Sequence, residues 1–158
     1  MAAITPYLWF DTQGLDAAEF YVSLFPNSAV TDVSYYGEGA PLPAGTPMTV
    51  SFTLDGLNLT ALNGGPAYVL SEAFSLQVNC ADQEEADRLW AVLTADGGEE
   101  GRCGWCKDRF GLSWQVVPAG LAELLGDPDP GRAQRAMQAM LGMERLDLAA
   151  MRAAADAG

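Results

Sequence analysis

The sequence predicts an α+β fold in which one order of elements, strand, helix and then three strands, is used twice and followed by a helical tail. Three observations predict it. Cys103 to Pro118, CGWCKDRFGLSWQVVP, reads as a closing hairpin with Trp105 on the incoming strand and Lys107 to Gly111 as the turn. On the outgoing strand Leu112, Trp114 and Val116 alternate with Ser113, Gln115 and Val117, one apolar face against one mostly polar face, until Pro118 ends it. Each half of the chain also carries one amphipathic helical stripe between strand patterns. Beyond Leu125 the period of two gives way to helical spacing.

Taken in order, Ile4 to Phe10 is a strand with Ile4, Pro6, Leu8 and Phe10 on one face and Thr5, Tyr7 and Trp9 on the other. Asp11 or Thr12 opens a helix whose stripe is Ala17, Phe20, Tyr21 and Leu24, and Pro26 stops it. A strand from about Ala29 to Tyr36 follows. Gly37 to Pro47 is too rich in Gly and Pro for a regular element; it is a long hairpin connection or a mobile flap. Met48 to Leu54 alternates cleanly, Asp55-Gly56 is a two-residue hairpin turn, and Leu57 to Asn63 returns.

The order then repeats. Ala73 to Asn79 is a strand with Phe74, Leu76 and Val78 on one face. Asp82 caps a helix and Glu85 completes a capping box, while Ala86, Leu89, Trp90 and Leu93 make its stripe. Gly97-Gly98 ends the helix, and a short strand near Glu99 to Arg102 leads into the hairpin. Two modules, about 1–66 and 67–125, thus make one domain, and 126–158 is a tail. In the tail Asp129-Pro130 starts a helix in which Ala133, Met137, Met140 and Leu141 recur at helical spacing. A last helix runs from about Leu146 to Ala155. These helices are expected to dock on the domain or on a second subunit.

The charge of −13, from 8 basic and 21 acidic residues, argues against nucleic acid or an anionic membrane as partner. No run approaches the about 18 apolar residues of a membrane span, and MAAITPY has no secretory pattern, so a cytoplasmic protein is expected. Histidine is absent, which removes the commonest general base and metal ligand together. The three cysteines fit a reducing compartment. Cys103 and Cys106 have redox-motif spacing, but on a strand residues three apart point to opposite faces, so they read as incidental thiols.

Two such modules closing with KDRFGLSWQVVP resemble the vicinal oxygen chelate superfamily, the glyoxalase and bleomycin-resistance fold. More narrowly, ITPYLWFDT, AAEFYVSLFPNS, ALNGGP, VNCADQEEADRLW, GRCGWCKDRFGLSWQVVP and RAMQAML look like its PhnB-like branch, whose members carry the name 3-demethylubiquinone-9 3-methyltransferase. The resemblance spans nearly the whole chain. It implies a curved, barrel-like mixed sheet with helices outside and a pocket on the concave side.

That implication assigns the faces. Ile4, Leu8, Phe52, Leu76 and Trp114 should meet the helices. Thr5, Tyr7, Trp9, Ser51 and Thr60 of the first module, with Ser75, Gln77, Asn79 and Gln115 of the second, should line a site of hydroxyls, amides and aromatics without an interior charge. Metal-using members of the superfamily place ligands at positions that fall near Thr5, Thr60, Ala73 and Gln115. Imidazole, thiolate and carboxylate are missing there, and Ala67 stands after Gly64-Gly65-Pro66 where many members of the branch it resembles carry histidine, so neither metal nor cofactor is expected. The methyltransferase name finds no support in local motifs. Gly37-Glu38-Gly39 lies between strands, whereas a methyl-donor loop joins a strand to a helix. Asp11 and Asp82 read as helix caps, Asp108 as a turn residue and Glu19 as a solvated helix face, which leaves no acid–base pair.

The leading expectation is metal-independent binding of a small, largely uncharged organic molecule, stacked by Tyr7 and Trp9 and oriented by Gln77, Asn79 and Gln115. One alternative is a transferase or lyase, for which Tyr7 is the best candidate acid or base. Another is a structural dimer module with a vestigial pocket. A homodimer is expected because the sheets leave edges that must be covered.

Overall fold

A computed structural model describes all 158 residues, which divide into two compact units, Met1–Leu70 and Ser71–Gly158. The first contains β1 (Tyr7–Phe10), α1 (Gly14–Leu24), β2 (Ala29–Tyr35), β3 (Pro47–Leu54) and β4 (Leu57–Asn63). Its sheet runs β1-β4-β3-β2, with β1 parallel to β4 and the other pairs antiparallel. Asp55 and Gly56 both have positive φ, +43° and +92°, which lets two residues join β3 to β4 with the twist the strands require. Leu8, Val50, Phe52, Leu59 and Ala61 are buried on one sheet face, as are Ala17, Ala18 and Tyr21 of α1; the Tyr21 and Phe52 rings lie 6.2 Å apart.

Three expectations for this unit are corrected. β1 begins at Tyr7, and Ile4 is 95% exposed rather than core. Pairing with β4 starts at Tyr7 opposite Thr60, just after Pro6, which has no N–H for a ladder. Asp11 does not cap α1. The helix starts at Gly14, whose N–H donates to Asn63 Oδ1 at 2.7 Å, a cap supplied from β4 rather than from the preceding turn. Glycine is required there because a Cβ would fall 2.7 Å from that oxygen. The Gly37–Thr46 segment is closed at its base as a hairpin connection by Tyr36 N–H to Thr46 O and Gly45 N–H to Tyr36 O, both 2.9 Å.

The second unit repeats the topology with β5 (Ser75–Cys80), α2 (Gln83–Thr94), β6 (Glu99–Glu100), β7 (Trp105–Lys107) and β8 (Ser113–Pro118), ordered β5-β8-β7-β6 with β5 parallel to β8. The cap on α2 is as expected: Glu85 N–H donates to Asp82 Oδ1 at 2.8 Å, while Glu85 Oε2 accepts from Ala81 N–H at 2.7 Å. Ala86, Leu89, Trp90 and Leu93 are buried, as are Cys106, Trp114 and Val116 on the sheet. β5 begins at Ser75, so Phe74 lies outside it and is 42% exposed. Leu76 is only half-buried, because β5 is an edge strand and α2 lies mainly over β7 and β8.

The tail forms α3 (Leu121–Leu125), α4 (Pro130–Leu141) and α5 (Leu148–Asp156) and belongs to the second unit. Asp129 caps α4 through Gly131 N–H at 3.0 Å, with Pro130 in the first turn. Leu124, Ala136, Leu148, Met151 and Ala155 make a separate small core. Backbone bonds from Cys103 N–H to Met143 O (2.9 Å) and Gly104 N–H to Glu144 O (2.8 Å) tie this core to the hairpin, and the Gln83 side chain grips Leu146 O and Leu148 N–H. Strand pairing stays within each set of four. The α+β architecture therefore has two mixed four-stranded sheets, since β1 and β5 each close their own module by pairing with its last strand.

Candidate functional site

Strand register decides which side chains share a face. In the first sheet Tyr7, Thr60 and Ser51 are direct partners across β1, β4 and β3, and Trp9, Leu62 and Thr49 form the next row. Both rows lie on the face opposite Leu8, Val50 and Ala61. Tyr7 is 60% exposed, Ser51 is half-buried and Thr60 is buried. Thr5 stands outside β1 and is exposed, so the structure does not join it to these rows.

Trp9 is held on three sides. Its Nε1–H donates to Gly65 O at 2.9 Å, and its ring meets Tyr68 edge-on with centroids 4.9 Å apart. The indole also lies against Gly64, where an added Cβ would come within 2.2 Å of the ring. The Gly64-Gly65-Pro66 segment thus does more than end the first module; it seats the indole and satisfies its polar atom.

In the second sheet Gln77, Gln115 and Trp105 form one row, and Ser75, Ser113 and Lys107 the next. Gln115 Nε2 donates to Ser75 Oγ at 3.0 Å, and Gln77 Nε2 donates to Asn79 Oδ1 at 2.8 Å. Ser75, Gln77, Asn79 and Gln115 therefore lie together on one face, with Gln77 and Asn79 exposed and Gln115 half-buried. The expectation of a face without charge is corrected. Lys107 ends β7 instead of opening the turn, so it shares this face and pairs with Glu72. The bond to Glu72 raises the Lys107 ammonium above its ordinary range, and the bond to Lys107 lowers the Glu72 carboxyl.

Sequence reasoning also undervalued Asp108. It is 2% exposed, with Oδ1 accepting from Phe110 N–H (2.8 Å) and Leu112 N–H (3.1 Å) and Oδ2 from Trp114 Nε1–H (2.8 Å). Asp108 therefore locks the hairpin to its own core tryptophan, a structural role. The local signal was an Asp in a turn whose strand returns a Trp six residues on.

The chemistry on these faces is that of hydroxyls, amides, indoles and one ion pair. Burial pushes the Cys80 thiol up to about 11 and the Cys106 thiol up to about 12, so both stay protonated and poorly nucleophilic at neutral pH. The positions that the resemblance assigns to metal ligands fall near Thr5, Thr60, Ala73 and Gln115. Thr5 and Ala73 lie outside their strands, and the Gln115 amide donates to Ser75. Hydroxyl, methyl and amide groups do not make a donor set for a transition metal, and no three His, Cys, Asp or Glu side chains cluster elsewhere.

The model of the family described as 3-demethylubiquinone-9 3-methyltransferase matches residues 2–117, which covers both modules. The chain belongs to this family. Its repeated βαβββ module is the arrangement that the resemblance to the PhnB-like branch implies. Among solved structures, the PhnB protein of Bacillus cereus, which carries the family's methyltransferase name, is 30% identical with a TM-score of 0.67; the match covers 73% of this chain and 98% of that one. A Pseudomonas aeruginosa protein is 25% identical with a TM-score of 0.58, covering 72% and 95% of the two chains. No curated protein matches the sequence. The family match ends at Val117, so the helices after β8 lie outside it. No helix is long and apolar enough to cross a membrane.

Proposed function

We propose that this family member binds a small, largely uncharged organic molecule on the polar sheet faces, without a metal. The observation that carries this reading is the Gln115–Ser75 hydrogen bond. It uses the amide NH2 and fixes the side chain, leaving Oε1 to accept from a ligand, on a face that also presents Trp105. Tyr7 and the seated Trp9 offer aromatic surface of the same character in the first module. Preorganised aromatic and amide groups cost little entropy on binding, which suits recognition of a neutral molecule.

The test is native mass spectrometry of freshly purified protein, followed by thermal unfolding with any molecule found. Such a molecule should raise the melting temperature of the parent and fail to raise that of Gln115→Leu or Trp9→Ala. Equal stabilisation of all three proteins would refute the reading.

Methyl transfer, which the relative's name suggests, is the weaker alternative. The strand-to-helix connections here are Asp11-Thr12-Gln13, Ala81-Asp82 and Ala119-Gly120, none of them a glycine-rich loop of the methyl-donor kind. Turnover of a bound molecule would establish an enzyme, and Tyr7 is the group to mutate first. Residues 1–125 are read as the ligand-binding domain and 126–158 as an appended tail of a cytoplasmic protein. A homodimer is also inferred, since β2 is an unpaired edge and Met137 and Leu141 on α4 are 39% and 56% exposed. Sedimentation of a monomer at micromolar concentration would overturn that inference.

A further inference from the structure

Beside the Gln115 row lies a small cavity of about 90 Å³ whose lining includes Glu72, Glu99, Glu100, Trp105, Lys107 and Ser113. Lys107 is the only lysine in the chain. It stands directly opposite Ser113 in the β7–β8 register, so both side chains leave the same face, and Glu99 on β6 is its partner on the other side. Ser113 is 1% exposed and its Oγ has no hydrogen-bond partner. Buried hydroxyls are nearly always satisfied, so an unpaired one in a cavity wall marks a place where a partner is expected to arrive.

We propose that Lys107 and Ser113 form an anchoring site for the carboxylate of a small monocarboxylic acid, and that Glu72 occupies the lysine until that ligand comes. Two donors in the cavity have capacity left, the Ser113 hydroxyl and the ammonium N–H groups that Glu72 does not use, beside the carboxylates of Glu99 and of Glu100, which accepts from Trp90 Nε1–H. Those two donors call for an acceptor oxygen. Glu72 sits on the segment before β5, outside any strand, with its side chain 66% exposed, so it can leave without breaking backbone pairing. Exchanging one carboxylate for another keeps the charge balance at Lys107 unchanged. Glu99, opposite in register, disfavours a second negative charge, which selects monoanions over dianions. The Trp105 side of the cavity suits a short apolar tail. The site stands on Ser113 and Lys107 and is independent of the Gln115 reading.

The single lysine makes the test direct. In full-length protein labelled with 13C at lysine Cε, one resonance reports the site. Titration with acetate and propionate at constant ionic strength should shift it saturably, whereas acetamide and methylammonium should not. Glu72→Gln removes the resident competitor and should tighten acetate binding by about tenfold. Ser113→Ala should weaken it by about tenfold, the value of one hydrogen bond to a charged group. Lys107→Met, followed by calorimetry, should abolish binding. The gain in Glu72→Gln is decisive because a misfolded variant cannot produce it. An equal response to acetamide, or acetate affinity unchanged by Glu72→Gln, would overturn the proposal.

Discussion

Replacing Asp108 with Ala should be among the most damaging single changes in the second unit. The side chain satisfies three donors, of which Leu112 N–H and Trp114 Nε1–H are buried and Phe110 N–H is partly so. A stranded buried donor costs about 1 to 3 kcal/mol. With two stranded fully and one in part, Asp108→Ala should cost about 4 kcal/mol. Asp108→Asn is more informative. Its Oδ1 can still accept from both backbone amides, but its NH2 group then faces the Trp114 indole N–H, donor against donor, for a cost of about 2 kcal/mol. Trp114→Phe removes the opposing donor, so Asp108→Asn in that background should cost about 1 kcal/mol or less. The assay is urea unfolding of the four proteins as a double-mutant cycle, with the denaturant slope checked for constancy. The reasoning fails if Asp108→Ala costs less than about 1 kcal/mol, or if Asp108→Asn is equally costly with and without the indole.

Further outcomes follow from the same geometry. Trp114→Ala, at a position 1% exposed, should destabilise by about 3 to 5 kcal/mol, while Gln115→Leu on the opposite face should be nearly neutral in the same urea assay. Gly64→Ala would place a methyl group 2.2 Å from the Trp9 ring; it should displace the indole, break its bond to Gly65 O and shift tryptophan emission to the red. Alkylation at mildly alkaline pH, followed by intact mass, should modify half-buried Cys103 first and leave Cys80 and Cys106 until the protein unfolds. Because burial raises both of those thiol pKa values, their contribution to stability is complete below 9.0. It should be lost as pH rises through about 11 to 12, which alkaline unfolding can follow. The Glu72–Lys107 pair has two limits. The lowered Glu72 pKa means that its contribution disappears as pH falls below 4.5, and the raised Lys107 pKa means that it disappears as pH climbs above 10.5; titration of the single lysine resonance checks the second limit.

The sequence by itself determined the repeated module, the alternation along β3, β4 and β8, the Asp55-Gly56 turn, the Asp82 and Asp129 caps and the buried side of the last hairpin. These are local matters: a period of two, a φ that only certain residues tolerate, or a side chain that reaches an amide two or three residues away. Where a partner distant in sequence intervened, local reading failed. Asp11 had the chemistry of a cap, but Asn63, 49 residues beyond the Gly14 whose N–H it accepts from, supplies it. Ile4 and Leu76 had the right alternation. One lies ahead of the ladder and the other on a strand that the helix covers least, so neither is fully buried. Of the expected site, Gln115 with Ser75 and Tyr7 with Thr60 and Ser51 were legible because register follows from pleat and turn length. Lys107 was read as a turn residue because the sequence does not show where β7 ends. Only the folded hairpin, in which Asp108 rather than Lys107 starts the turn, placed the ammonium on the polar face beside a hydroxyl that has no partner.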